Sequence, residues 1–219
     1  MKRKIALLDI SLLLILIVVT SVTVSKYQNV LSGESNTNVA KWSNKIELVD
    51  TDSIIFNSGE DNIKSIHFNL KSDSDVSSKY DINVQNVPKY IELNLENNET
   101  SIKCLVDTNT ITVTFYNQEL SFDLSKDNEE KSITGGTVHM TIQNDASQKN
   151  VFFTNSLNSS TLHVTIPKDD PKVDMIFGDF GKIEYGNKSI EHIITLKANS
   201  DNLPNIAEMN LSATFEQID

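Results

Sequence analysis

From Lys79 to Leu95 the chain reads KYDINVQNVPKYIELNL. Tyr80, Ile82 and Val84 alternate with polar residues, Asn86-Val87-Pro88 interrupts them, and Ile91, Leu93 and Leu95 resume the alternation. In an extended chain successive side chains point to opposite faces, so a period of two builds one apolar face and one wet face. The stretch therefore predicts two half-buried strands joined by a turn.

The same period extends outward from this stretch. Toward the N-terminus it appears in Ile66, Phe68 and Leu70, in Ile46 and Leu48, and from Val39 to Trp42. Toward the C-terminus it returns in Ile102, Cys104 and Val106; in Ile111, Val113 and Phe115; and in Leu120, Phe122 and Leu124. Val138, Met140 and Ile142 follow, then Leu162, Val164 and Ile166, then Ile194, Leu196 and Ala198, and last Met209, Leu211, Ala213 and Phe215. Turn residues separate the runs at Ser58-Gly59, Asn97-Asn98, Asp127-Asn128, Asp169-Asp170-Pro171, Gly186-Asn187 and Asn202-Leu203-Pro204. Gly135-Gly136 between Ile133 and Val138 reads as a two-residue hairpin turn. Strands with one wet face belong to antiparallel sheets, so the expected fold is all-β: an antiparallel β-sandwich of jelly-roll type. Turns and Ser, Asn and Asp residues are denser over 117–186, which marks a candidate insertion or accessory sheet.

The N-terminus follows different rules. Lys2, Arg3 and Lys4 precede Ile5–Val24, whose unbroken apolar centre runs from Leu12 to Val19. A basic start followed by an apolar segment is the layout of a secretory signal or an N-terminal anchor helix over residues 1–25. As a helix the segment would be about 30 Å long, enough to cross a bilayer core, while Asp9, Thr20, Ser21 and Thr23 shorten its apolar centre to signal length. Both readings stay open, and both place the chain after Val24 outside the cytoplasm. Residues 26–45 begin polar, with Gly33 among Ser and Asn, and are expected to form an extended arm; 46–219 form the sandwich.

Composition narrows the partners. The chain of 219 residues has a formal net charge of -11, and its only arginine is Arg3. An acidic surface without arginine is a poor match for phosphates, so neither nucleic acid nor an anionic lipid surface is expected. A single cysteine excludes an internal disulfide framework, and Cys104 in an alternating run reads as a buried apolar side chain.

No catalytic pattern emerges. His67, His139, His163 and His192 each fall in a strand-like run with no His-Glu-x-x-His spacing, and Glu191 and His192 must point to opposite faces of one strand. Glu129-Glu130 and Asp169-Asp170 fall in predicted turns as solvated carboxylates. Asp50 with Asp52, and Asp73 with Asp75, each set two carboxylates on one side of an extended segment, but no complete calcium loop follows. There is no G-x-S-x-G elbow. Trp42, Tyr27, Tyr80, Tyr90, Tyr116 and Tyr185 read as packing aromatics before a sugar platform. No enzyme, no metal and no cofactor is expected.

Three blocks together resemble a known family: Ser25-Lys26-Tyr27 with Leu31-Ser32-Gly33 after the leader, Asn38-Val39-Ala40-Lys41-Trp42, and the closing Ser212-Ala213-Thr214-Phe215-Glu216-Gln217-Ile218-Asp219. The layout is similar to the TasA/camelysin-like exported surface proteins of Gram-positive bacteria, and Lys79–Val84 and Pro88–Leu95 resemble that family's middle section. The resemblance implies a jelly-roll domain and a surface or biofilm-matrix protein. It also implies a homo-oligomer or fibre, in which the arm from Lys26 to Trp42 is lent to the next subunit. The second reading is a membrane-anchored extracellular module that binds a surface protein or a polysaccharide.

Overall fold

Alternation survives in three dimensions as burial. In a computed structural model, which describes residues 43–49, 63–198 and 209–218, Ile91, Leu93 and Leu95 are buried while Glu92, Asn94 and Glu96 remain partly exposed. The described residues form fourteen strands and no helix. In chain order they are β1 (Asn44–Leu48), β2 (Ile63–Ser74), β3 (Ser78–Pro88), β4 (Ile91–Glu96), β5 (Ser101–Val106), β6 (Thr110–Phe115) and β7 (Gln118–Asp123). Then follow β8 (Asn128–Ile133), β9 (Gly136–Asn144), β10 (Gln148–Asn155), β11 (Thr161–Pro167), β12 (Lys172–Ile183), β13 (Gly186–Ala198) and β14 (Asn210–Gln217).

Two seven-stranded antiparallel sheets result, in the orders β1-β2-β13-β4-β5-β6-β7 and β14-β3-β12-β11-β10-β9-β8. The inward faces meet in one apolar cluster that runs from Phe68 and Leu70 to Ile194 and Leu196, so the architecture is a β-sandwich. Each large side chain buried there contributes about 1.5–3 kcal/mol over its exposed state. The segment 117–186, read as a candidate insertion, supplies β7 and five of the seven strands of the second sheet.

Local differences from the sequence reading have physical causes. Glu129-Glu130, expected in a turn, lies in β8: its backbone pairs with β9, and Glu129 accepts hydrogen bonds from Asp123 N (3.1 Å) and Lys126 Nζ (3.2 Å). Asn86-Val87-Pro88, expected as a turn, completes β3 instead. Asn86 bulges at a φ of 59° and its N–H is held by Asp174 Oδ1 at 2.8 Å, while the reversal falls on Lys89 and Tyr90. β1 takes up Asn44 and Lys45 from the end of the expected arm, because they pair with Ser72 and Lys71 of β2, and the Asn44 side chain bonds to Ser74 at the end of β2 and to Ser78 of β3 in the other sheet. The leader and the arm before Ser43 lie outside the described residues, as do the strand-like run Val39–Trp42 and Asp50 with Asp52. Among the described residues no helix is long and apolar enough to cross a membrane.

The hairpin at Gly135-Gly136 is shifted by one residue, with Thr134 and Gly135 at the tip and Gly136 already paired with Ile133. Gly136 is needed because a Cβ there would sit 2.5 Å from Ser156 Oγ and 3.0 Å from Leu157. Ser156 Oγ accepts the Thr137 N–H at 2.9 Å, so Gly136→Ala must break that bond to make room. The expected loss is about 1 kcal/mol, to be read from the urea midpoint.

Candidate functional site: an amide-lined cleft at one end of the sandwich

Three connections come together at one end of the two sheets. After β4 the chain reverses through Asn97, whose Oδ1 accepts the N–H groups of Glu99 (2.9 Å) and Thr100 (2.8 Å), the local bonding that makes Asn a turn former. Between β6 and β7 the whole turn is Tyr116-Asn117, both left-handed at φ 51° and 60°. Positive φ at both central residues suits a tight hairpin to the strand twist. Between β10 and β11 the Asn155 side chain accepts from Leu157 N and Asn158 N, and donates to Asn158 Oδ1 (2.9 Å) and Ser160 O (2.8 Å). Tyr116 Oη donates to Asn155 Oδ1 at 3.3 Å, which ties the two sheets together at this end.

These turns enclose a cleft of about 310 Å³. Its apolar floor includes Ile102 and Phe115, and its rim carries Asn98, Thr100, Asn117 and Asn158. Glu99 is its one carboxylate, and no Lys, Arg or His lines it. Tyr116, which also lines the cleft, is 42% exposed. Among the described residues the side chains of Asn98 and Asn117 make no hydrogen bond, whereas Asn97 and Asn158 are locked in place. The cleft therefore combines a fixed frame with free amides.

Asn97 also reaches inward. Its Nδ2 donates to Tyr80 Oη at 3.2 Å, and Tyr80 donates to His192 Nε2 at 2.9 Å. The other ring nitrogen, Nδ1, donates to Ile190 O at 3.1 Å, so with Nε2 accepting from Tyr80 both nitrogens of a neutral imidazole are satisfied. His192 is fully buried, stacked on Phe68 at 5.0 Å, with the Tyr80 ring edge-on at 5.4 Å. Burial lowers its pKa to about 4 against the weaker opposing pull of the Ile190 carbonyl, and burial raises Tyr80 to about 12. The pair is a polar rivet in an apolar core.

The remaining candidates stay apart. His67 faces Glu191 at 3.3 Å across β2 and β13, His139 pairs with Glu130 on an exposed edge, and His163 stacks on Phe152 at 4.3 Å. Partial burial lowers the His163 pKa. Glu191 and His192 do point to opposite faces, one exposed and one buried. Among the described residues no three His, Cys, Asp or Glu side chains come together to hold a metal ion. Asp73 and Asp75 are exposed near the end of β2, and Asp169-Asp170 occupy the bend before β12. Cys104 is buried, and burial alone pushes its thiol up. Of the tyrosines, Tyr80 is core, Tyr90 lies at the opposite end bonded to Thr108 (2.8 Å), and Tyr185 is exposed. Tyr27 and Trp42 are outside the described residues. Sequence reasoning did not single out the Tyr116-Asn117 turn. Its signal was the two-residue gap between the alternations ending at Phe115 and restarting at Gln118.

No family model and no curated protein matches the chain. Among solved structures, a functionally unknown protein from Saccharomyces cerevisiae is similar at 9% identity and a TM-score of 0.17, over 80% of this chain and 96% of that one. The exoplasmic/lumenal domain of VIP36, in its Ca2+/Man-bound form, is similar at 12% identity and a TM-score of 0.17, over 81% and 91%. Likenesses that weak carry no argument about fold or function.

Proposed function

We propose that this chain is an exported, non-enzymatic structural protein of the cell surface or extracellular matrix, whose jelly-roll sandwich self-associates through its N-terminal arm. The observation that carries the reading is the contrast between the two edges of the second sheet. β8, at one edge, places Glu129, Glu130 and Lys131 within six residues, the charge that blocks pairing with another chain. β14, at the other edge, has eight residues and one charge, Glu216, and pairs only with β3 among the described residues. A long edge with little charge is a template for an extended segment. β1, which continues directly from the arm, lies beside β14.

The five crossings of the chain between the sheets support the jelly-roll reading. The acidic, arginine-free surface supports an exported role without nucleic acid. The leader-free chain is expected to polymerise, as seen by sedimentation and electron microscopy. Deleting Lys26–Trp42 abolishes the polymers, and Ser212→Lys on the exposed face of β14 suppresses them while the monomer stays folded. Equal polymer yield from the truncated chain would overturn the reading. A second reading, a module held at the membrane by Ile5–Val24, is favoured by the polar cleft. N-terminal sequencing of the native protein separates the two: a start near Lys26 means a released subunit, and a retained Met1 or Lys2 means an anchored one.

A further inference from the structure

We propose that the cleft between the β4–β5, β6–β7 and β10–β11 connections binds a neutral, hydroxyl-rich glycan. The lining decides the ligand class by exclusion and by fit. An anion would find no cation there and would meet Glu99 within an acidic molecule, so phosphorylated or uronic ligands are disfavoured. A cation would find a single carboxylate. A neutral polyol finds what its vicinal hydroxyls need: free amides on Asn98 and Asn117, each able to donate and accept, and the Thr100 hydroxyl beside them. An exposed aromatic residue in the lining, Tyr116, can offer its ring to the apolar face of a sugar. The volume of about 310 Å³ lies at the lower end of ligand pockets, the scale of one or two sugar residues.

Two further observations separate this cleft from an ordinary gap between loops. Its frame is fixed before any ligand arrives, because Asn97 and Asn158 use their oxygens on backbone N–H groups, which limits the ordering that binding requires. Tyr116 also holds a left-handed backbone, φ 51°, that suits Asn or Gly far better than a bulky aromatic residue. Tyr90, at the opposite end, shares that backbone at φ 69°, but among the residues lining this cleft Tyr116 is the aromatic that carries it.

The inference stands apart from the assembly reading, since deleting Lys26–Trp42 leaves every residue of the cleft in place. The test is native affinity electrophoresis of the whole leader-free chain through gels containing dextran, mannan or glycol chitin, with the anionic polymer alginate for comparison. At least one neutral polymer should retard the protein and alginate should not. Tyr116→Asn, which keeps the left-handed turn and removes the ring, should weaken retardation about tenfold, and Asn98→Ala should weaken it by a smaller factor. Three results would overturn the proposal: no retardation by any neutral polymer, equal retardation by alginate, or wild-type retardation of both variants with unchanged circular dichroism.

Discussion

Between about pH 7 and about pH 4 the sandwich is expected to lose about 3 kcal/mol of stability through His192. The imidazole sits in the core with both nitrogens committed, one donating to Ile190 O and one accepting from Tyr80. A proton on Nε2 would turn that acceptor into a donor facing a hydroxyl already bonded by Asn97, inside a shell of Phe68 and Phe180. The folded pKa falls to about 4 from the ordinary 6.5. In that window the unfolded chain binds the proton and the folded chain does not, so acid favours unfolding. The loss begins as pH drops through the unfolded value and is complete below the folded one. Urea midpoints at the two pH extremes measure it. Tyr80→Phe with His192→Phe removes the titrating group and its partner together, so the variant should lose correspondingly less stability on acidification. Equal losses for wild type and variant would refute the assignment.

Gly181→Ala is expected to cost about 3 kcal/mol, the range of overpacking in a closed core. Gly181 pairs with Tyr80 across β12 and β3, and the tyrosine lies over it: an added Cβ would meet Tyr80 Oη and come within 2.7 Å of Cζ. The ring cannot swing away, because its hydroxyl is held by His192 and Asn97 and its body is buried. The bulge just before Gly181 sets three residues of β12 opposite one of β3 and turns Phe180 into the core against Phe177. A thermal midpoint lowered by several degrees, with Tyr80→Phe/Gly181→Ala losing less than the sum of the two single variants, is the expected signature. Additive losses would show that the two residues do not share the contact.

The amino-acid sequence alone determined the fold class, because side-chain alternation is a local property of each strand. Tyr80, Ile82 and Val84, or Ile91, Leu93 and Leu95, show their buried face without reference to any partner. The same reasoning placed Cys104 in the core and set Glu191 and His192 on opposite faces. β8 was beyond its reach: only Ile133 of that strand is buried, and its strand character comes from pairing with β9, not from any pattern of its own. The split of the chain into two sheets likewise follows from which strands pair, as β13 inserts between β2 and β4 although both lie far back in the chain, ending at Ser74 and Glu96 where β13 starts at Gly186.

Tertiary structure decided the site as well. Asn97, Tyr116 and Asn158 belong to three separate turns whose sequences announce only reversals, and they share one cleft because alternate turns of an antiparallel meander fall at the same end. His67 is out of step with Ile66, Phe68 and Leu70 and His192 is in step with Ile194, Leu196 and Ala198, so the period of two already sets them on different faces. Their partners come from the tertiary structure: His67 meets Glu191 across the β2–β13 pairing, and His192 is sealed among Phe68, Tyr80 and Phe180 where the two sheets close on each other.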